Sequence, residues 1–169
     1  MHERLRGEAD PALSQYFLVS PEKLAAVVRA AGIGPSDHVA ELGAGAGTVA
    51  RCLPPSASLT LVELDPRFAA RLREEFPAAR VIEGDALSSI RERGFDVLIG
   101  NLPHGVTDEL LPMLRHLSFR TAVLSASPAA RLDDLGPGLT WSEVTTTGGD
   151  DFVPPQPVRS RIVRIQRES

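Results

Sequence analysis

The sequence predicts a Rossmann-like α/β fold, with a mostly parallel sheet that is completed by a C-terminal antiparallel hairpin. Apolar runs alternate with segments of helical periodicity along most of the 169 residues, which is typical of successive βα units. The last third instead holds two β-rich runs, LTWSEVTTT and VRSRIVRIQR, joined by the Gly/Pro-rich loop GGDDFVPPQP. We therefore expect five parallel strands followed by an antiparallel pair.

The size of the chain predicts one globular domain. With 169 residues and 43% hydrophobic content it can bury one substantial core and has no room for a second. We expect this domain to span 20–169, after an N-terminal arm at 1–19. No signal-peptide pattern and no 18-residue apolar run is present, which predicts a cytoplasmic protein with no membrane span.

The charge and the cysteine content exclude several classes of protein. A net charge of −4 gives no general attraction to nucleic acid or to an anionic membrane, so an RNA partner would need a local patch. Cys52 is the only cysteine, which excludes an internal disulfide and a thiolate metal cluster, and we expect it to be buried. No metal site is predicted, and the residues leave the oligomeric state open.

The first half of the chain predicts three strands and three helices after the arm. SPEKLAAVVRAAG is a helix capped by Ser20, with Pro21 at its first position and Gly32 at its end. DHVAELGAGAG is a strand that runs into a glycine-rich turn, TVARCL the helix after it, and SLTLVELD the second strand. PRFAARLREEF is an amphipathic helix opened by Asp65 and Pro66, and ARVIEG is the third strand.

The second half continues the alternation and then departs from it. DALSSIRERG predicts a brief helix, FDVLIG the fourth strand, TDELLPMLRHL a helix and RTAVLSA the fifth strand. The two β-rich runs then form the terminal antiparallel pair, with GGDDFVPPQP as the loop between them.

The glycine-rich turn predicts a nucleotide-like ligand at the end of the first strand. Gly43, Gly45 and Gly47 allow the backbone to approach a ligand closely. The spacing from Gly45 to Ala50 also fits the dinucleotide fingerprint, so it does not distinguish a nicotinamide cofactor from S-adenosyl-L-methionine (S-adenosylmethionine below). Glu63, at the end of the second strand, is placed to accept hydrogen bonds from the ribose hydroxyls of either cofactor.

Asp85, in IEGDAL at the end of the third strand, favours S-adenosylmethionine. A carboxylate there is a good acceptor for the exocyclic amine of an adenosine. Glu41, Glu63 and Asp85 would form an acidic rim that suits a neutral nucleoside and a cationic sulfonium better than a pyrophosphate. Leu64 and Ala86, the next residues along, are assigned to the same site. The alternative is that Asp85 caps the following helix, and both roles can coexist.

The run GNLPH leaves the core where open α/β sheets place their ligands. Asn-Leu-Pro followed by a planar side chain resembles a motif of the rRNA adenine N6-methyltransferase family, which implies that the target is the amine of an aromatic base. An aromatic amine is a poor nucleophile because its lone pair is delocalised. Hydrogen bonds from the amine to the Asn101 side-chain oxygen and the Leu102 carbonyl would favour a pyramidal nitrogen. Pro103 would hold that carbonyl in place, and the planar His104 would stack on the base. The alternatives are a simple turn and, for His104, proton acceptance or a plain surface position.

These motifs, in this order, resemble those of the rRNA adenine N6-methyltransferase family, which includes small-subunit dimethyltransferases and macrolide-resistance enzymes. SQYFLVS and DFVPPQPVRS resemble its end motifs. The resemblance implies a class I S-adenosylmethionine-dependent methyltransferase fold and methylation of adenine N6 in rRNA. It implies that Gln15 helps to hold the methionine end of the cofactor, with Phe17 and Leu18 packed beside it and Asn101 at its border. It also implies that Phe152 stacks on the target base across from His104, the alternative being that Phe152 packs the hairpin.

The chain departs from this family in three respects that leave the substrate open. His104 stands where the family usually has Tyr or Phe, the expected domain lacks the helical domain that helps to grip rRNA, and the net charge is acidic. Four arginines in VRSRIVRIQR argue for an anionic substrate, but they would fall on both faces of a strand, and we favour the alternative of a solvated edge. One alternative is methylation of an amine on a small molecule, a lipid head group or a peptide. Another is a non-catalytic cofactor-binding subunit whose partner supplies the missing domain.

Overall fold

The computed structural model describes residues 2–91 and 94–168. In chain order the strands are β1 (Phe17–Leu18), β2 (His38–Leu42), β3 (Ser58–Glu63), β4 (Arg80–Glu83), β5 (Val97–Gly100), β6 (Thr121–Ala126), β7 (Leu139–Gly149), β8 (Phe152–Val153) and β9 (Gln156–Arg167). The α-helices are α1 (His2–Glu8), α2 (Pro21–Ala31), α3 (Pro66–Glu75), α4 (Ala86–Ile90) and α5 (His104–Leu110). None of the described helices has the length and hydropathy needed to span a bilayer.

The main sheet confirms the predicted architecture. Its seven strands lie in the order β4-β3-β2-β5-β6-β9-β7, and the first five are parallel. Strand β9 runs antiparallel to both β6 and β7. The antiparallel pair β7–β9 is therefore joined to the parallel strands through β9. Because β2 lies between β3 and β5, the strand order reverses there. The carboxyl ends of β2 and β5 therefore meet at the topological switch point, where open α/β sheets bind ligands.

The helices α2 and α3, which flank the parallel strands, have the expected ends. Pro21 begins α2, and Gly32, at φ 56°, ends it by donating its N–H to the Val28 carbonyl. Ser20 is the N-cap residue of α2, as predicted, and its carbonyl accepts the Leu24 N–H at 2.9 Å, although its side chain makes no capping hydrogen bond. Asp65 does cap α3, because its side chain accepts the Arg67 N–H.

The predicted helix TVARCL is only a 3-10 turn, Ala50–Cys52. Two prolines, at 54 and 55, follow directly, and proline has no N–H to extend a helix and disfavours helical backbone in the residue before it. The short turn faces Val49 and Ala50 inward and leaves Cys52 exposed, so the expectation that Cys52 is buried is wrong.

Other boundaries also differ from the sequence prediction. Helix α5 begins at His104, earlier than predicted, and a 3-10 segment, Leu111–His116, continues it where Pro112 removes an N–H. Helix α4 ends at Ile90, and part of the predicted remainder, 92–93, lies outside the described residues.

The N-terminal arm is attached to the closing hairpin. The loop predicted between the last two strands contains β8, which pairs antiparallel with β1 of the arm. Phe17 lies opposite Val153, and Leu18 opposite Phe152. This small second sheet places the arm across the carboxyl ends of the parallel strands.

The arginine-rich strand is not a solvated edge, because β9 lies between β6 and β7. The Arg161 guanidinium lies over the Trp141 ring, 5.6 Å from its centroid, and donates to the Ala130 carbonyl. Arg164 is only partly exposed, whereas Arg159 is exposed. The earlier interpretation therefore fails, since strand pairing and packing hold most of this run inside the sheet.

Candidate functional site

Two adjoining cavities lie at the carboxyl ends of the parallel strands. The large cavity has a volume of about 560 Å³ and is lined by the ends of β2 and β3, the loops after β4 and β5, and the arm. The residues assigned to a cofactor from the sequence line it, with one exception; they are Gln15, Phe17, Leu18, Glu41, Gly43, Gly45, Glu63, Leu64, Asp85, Ala86 and Asn101. The sequence motifs thus converge on one concave site.

The small pocket, of about 220 Å³, opens beside the large cavity. It is lined by Ser14, Tyr16, Asn101, Leu102, Pro103, His104, Gln156 and Val158. The residues that line both cavities are Ser14, Tyr16, Asn101, Leu102 and Pro103. Asn101 to Pro103 therefore form part of the boundary between the two.

The glycine turn is shaped by close contacts as well as by backbone angle. Gly43 and Gly45 have φ values of 69° and 53°. A Cβ at Gly45 would lie 2.8 Å from the Phe17 ring, and one at Gly43 would lie 2.8 Å from a Leu102 methyl. Gly47 is the exception: it does not line the cavity, and a Cβ there would lie 3.0 Å from the Phe76 ring. Its assignment to the cofactor is therefore corrected to a packing role beneath α3.

We expect Gly45→Ala to destabilise the fold more than Gly32→Ala does. Both glycines have positive φ, which costs an alanine about 1–2 kcal/mol, but a Cβ at Gly32 meets nothing within 4 Å. The contact with Phe17 should add about 1–3 kcal/mol at Gly45, as overpacking of a core does. Urea unfolding of both variants measures the difference. Equal losses would show that the Phe17 ring moves aside without cost.

Glu63 holds the glycine turn together. Its carboxylate accepts the Gly45 N–H at 2.6 Å and the Asp65 N–H at 2.8 Å. Burial raises the pKa of Glu63, and these backbone hydrogen bonds oppose that rise. A carboxylate has about four acceptor positions, so Glu63 retains capacity for ligand hydroxyls at the cavity wall.

Glu41 differs from Glu63 in its hydrogen bonding. It is 3% exposed, and its Oε2 atom lacks a hydrogen-bond partner among the described residues. Burial, with a smaller contribution from the Glu63 charge, raises the pKa of Glu41 to about 8. A buried acceptor without a partner is costly, so the cavity favours a ligand that brings a donor or a positive charge to this carboxyl group.

The arm is fastened over the large cavity by Gln15. The Gln15 amide donates to Asp65 Oδ2 at 2.8 Å, and its oxygen accepts the Asp10 N–H at 2.8 Å. The Arg67 guanidinium, with help from Gln15, holds the pKa of Asp65 well below its usual range. Gln15 thus lines the cavity while both ends of its amide are engaged within the protein.

Asn101 presents an acceptor at the boundary between the cavities. Its Nδ2 donates to the Tyr16 carbonyl at 3.2 Å, which orients the amide. In the described part of the chain, no donor is bonded to Asn101 Oδ1 or to the Leu102 carbonyl. The Pro103 carbonyl accepts the N–H groups of Val106 and Thr107, so the residue after Leu102 is fixed by the start of α5.

One ring nitrogen of His104 is hydrogen-bonded within the protein. Its Nε2 lies 2.7 Å from the hydroxyl of Ser160, which also accepts from the Gln156 amide at 2.8 Å. The ring borders the small pocket and is half-buried. A plain surface histidine is therefore not what the structure contains.

Asp85 caps α4, which confirms the capping alternative. Its Oδ1 accepts the Ser88 N–H at 2.8 Å. Asp85 also lines the large cavity, so the cap does not displace it from the place where an adenosine amine was expected.

Phe152 does not reach either cavity. It is 1% exposed and packs in the core beside Leu18, Val27 and Val39. The predicted stacking of Phe152 on a substrate base is therefore wrong, because pairing of β8 with β1 turns the ring into the core. The alternative, that Phe152 packs the hairpin, agrees with the structure, because its core cluster includes Ile162 of β9.

Sequence reasoning missed Ser14, Tyr16, Gln156 and Val158, which all line the small pocket. Tyr16 occupies the variable position between Gln15 and Phe17, and Val158 lies in the closing proline-rich segment. Both residues lie within the two end motifs of the sequence. Their proximity to Asn101, however, depends on the packing of the arm against β5 and β9.

Comparison with known proteins agrees with this geometry. The family model for ribosomal RNA adenine dimethylase matches residues 7–126. The small-subunit rRNA methyltransferase A of Corynebacterium glutamicum is 33% identical, over 98% of this chain and 67% of that protein. The corresponding protein of Prosthecochloris aestuarii is also 33% identical, over 71% of this chain and 49% of its own length.

Solved structures show the same fold. A dimethyladenosine transferase from Plasmodium falciparum superimposes with a TM-score of 0.79 and 26% identity, covering 90% of this chain and 63% of that one. The 23S rRNA methyltransferase ErmE has a TM-score of 0.79 and 27% identity, covering 90% and 70%. The chain spans about half the length of several curated relatives that it matches, at 49% and 47% for two of them.

Proposed function

The chain belongs to the ribosomal RNA adenine dimethylase family, and from this we propose that it is an S-adenosylmethionine-dependent methyltransferase that acts on adenine N6 in rRNA. The observation that carries the proposal is the position of Asn101, Leu102 and Pro103 between the two cavities. A group in the small pocket would meet two acceptor oxygens at the border of the large cavity. The cytoplasm is the compartment that we propose for this reaction.

The large cavity suits the cofactor. Its volume of about 560 Å³ is in the usual range for small-molecule sites. We propose that Glu63 and Asp85 accept hydrogen bonds from the adenosine and that Glu41 faces a cationic group, since its Oε2 lacks a partner among the described residues. Gln15, Leu64 and the lining glycines complete this set. S-adenosylmethionine supplies, when bound, an electrophilic methyl group.

The protein's own contribution is to prepare the amine. Asn101 Oδ1 and the Leu102 carbonyl would accept the two hydrogens of the adenine amine, which favours a pyramidal nitrogen with a localised lone pair. The Tyr16 carbonyl holds the Asn101 amide, and the start of α5 holds Pro103, whose ring nitrogen is bonded to the Leu102 carbonyl carbon. Both acceptors are therefore fixed in advance. Positioning of this kind can lower a barrier by roughly 7–11 kcal/mol at best, so no strong general base is required.

Family membership favours RNA over the other substrates considered from the sequence. A small-molecule, lipid or peptide amine and a non-catalytic subunit have no comparable support from the relatives, which are named as rRNA methyltransferases. A macromolecular substrate also agrees with the rim of the site, where Leu13, Leu64 and Val158 are large apolar side chains exposed by 59%, 70% and 54%.

Transfer of a labelled methyl group tests the proposal. The protein and tritiated S-adenosylmethionine would be incubated with rRNA, with small ribosomal subunits, or with ethanolamine and a lysine peptide as competing amines. Nucleoside analysis is expected to place the label in N6-methylated adenosine. Label in another nucleoside, or only in the small amines, would contradict the proposed substrate. The Asn101→Ala variant serves as the matched inactive control.

A further inference from the structure

Tyr16, the only tyrosine of the sequence, links the two cavities. We infer that the target base stacks on the Tyr16 ring, and that His104 is a positioning residue rather than the stacking surface. The inference rests on the proposed function, because it names the residue that would receive the adenine. It reassigns the stacking role that we expected of His104 and that the family resemblance implied for Phe152.

The composition of the small pocket supports Tyr16. Its apolar lining consists of Tyr16, Leu102, Pro103 and Val158, and among its lining residues Tyr16 alone carries a six-membered aromatic ring. Tyr16 is half-buried and packs against the core cluster that contains Leu18, so its ring is held in place before a ligand arrives. Stacking on an aromatic ring that is already ordered costs little conformational entropy.

The hydrogen bonds around His104 indicate a positioning role for this residue. Ser160 is 1% exposed and accepts the Gln156 amide, so its own proton needs an acceptor. In the described part of the chain, His104 Nε2 at 2.7 Å is the partner placed to take that proton. The Nε2 lone pair is then engaged within the protein. His104 fixes the start of α5 against β9, and through α5 it fixes the Leu102 carbonyl.

Tyr16 also couples base binding to the amine acceptor. Tyr16 lines the small pocket, and its backbone carbonyl accepts a hydrogen bond from the Asn101 amide at 3.2 Å. Since the carbonyl belongs to the backbone, Tyr16→Leu removes the ring and retains this hydrogen bond. A loss of ring stacking should therefore raise KM or the Kd for the base much more than it lowers kcat.

The test uses a short oligoribonucleotide that carries 2-aminopurine, whose fluorescence falls when it stacks. Stacking on an aromatic side chain corresponds to roughly 5- to 150-fold in binding, so Tyr16→Leu should weaken binding by that factor and abolish the quenching. Tyr16→Phe should rescue both. Because Tyr16 also lines the large cavity, the folding of Tyr16→Leu is checked by urea unfolding, which should remain a single cooperative transition.

Several results would overturn the inference. One is quenching that persists in Tyr16→Leu and disappears in His104→Ala; another is the absence of quenching in the wild type. Photocrosslinking of the wild type to an 8-azidoadenine oligoribonucleotide needs no variant: attachment to the peptide containing Tyr16 is expected, and attachment to the His104 peptide alone contradicts it.

The results that would contradict the proposed reaction differ from those that would contradict the proposed base site. A wild type that quenches through Tyr16 but transfers no methyl group to adenine would refute the reaction and retain the base site. A wild type that methylates adenine, with KM unchanged in Tyr16→Leu, would refute the base site and retain the reaction.

Discussion

Asn101→Ala is expected to lower kcat for methyl transfer by about 100- to 1000-fold, the usual effect of removing one preorganised hydrogen-bonding group from a reacting centre. The Asn101 side chain lies at the boundary between the cavities, and its oxygen has no other donor among the described residues. Without it the adenine amine has one acceptor instead of two, and its lone pair remains delocalised. The Kd for S-adenosylmethionine should stay near the wild-type value, because Glu41, Glu63 and Asp85 are untouched.

The measurement combines single-turnover methyl transfer with calorimetric titration of the cofactor. Asn101→Asp is the matched comparison: it retains an acceptor oxygen but loses the N–H that donates to the Tyr16 carbonyl. We expect its rate to lie between those of the wild type and Asn101→Ala. If the cofactor affinity of Asn101→Ala falls in proportion to its rate, Asn101 belongs to cofactor binding and the assigned role is wrong.

The sequence predicted well those features that depend on local residue identity. Each of these features has a local physical reason: the glycines at a strand end, the carboxylates at the carboxyl ends of β2, β3 and β4, and the proline after Leu102. Parallel strands bring their carboxyl ends to one edge of the sheet. Their convergence on the large cavity therefore followed from the predicted sheet alone. The chemical roles given to Asn101, Leu102 and Pro103 stay predictions.

The errors came from contacts between segments that lie far apart in the chain. Phe152 is buried because β8 pairs with β1, and the residues near Phe152 in the sequence do not predict that pairing. Tyr16 reaches the small pocket through the same attachment of the arm. Arg161 is partly buried because β9 lies between β6 and β7 and not at the edge of the sheet. Cys52 is different, since the two prolines after it could have predicted the short turn.

The protonation of Glu41 predicts an unusual dependence of stability on pH. The pKa of Glu41 is about 8 in the folded protein against an ordinary value of 4.5, so between these values the folded state holds a proton that the unfolded state has released. The free energy of unfolding should therefore fall as the pH rises through this window, by on the order of a few kcal/mol in total, and fall no further above it. Glu41→Gln should remove this contribution.

Urea unfolding from about pH 5 to about pH 9 measures the effect. Relative to the wild type, Glu41→Gln should gain stability steadily with rising pH. Glu143→Gln, which changes an exposed carboxylate on β7, is the matched control and should follow the wild-type curve. Parallel curves for the wild type and Glu41→Gln would show that the Glu41 carboxyl is not protonated in the native state.

Binding of S-adenosylmethionine should release the proton that Glu41 holds in the free protein. A cationic group beside Glu41 favours its carboxylate form, so near neutral pH binding should release a proton from the wild type. Calorimetry in buffers of different ionisation enthalpy measures that release, because the observed heat then changes with the buffer. In Glu41→Gln the heat should be independent of the buffer, and affinity should fall since the buried acceptor for the cation has lost its charge. A release that persists in Glu41→Gln would assign the proton to another group, with Glu63 the first candidate because burial raises its pKa as well.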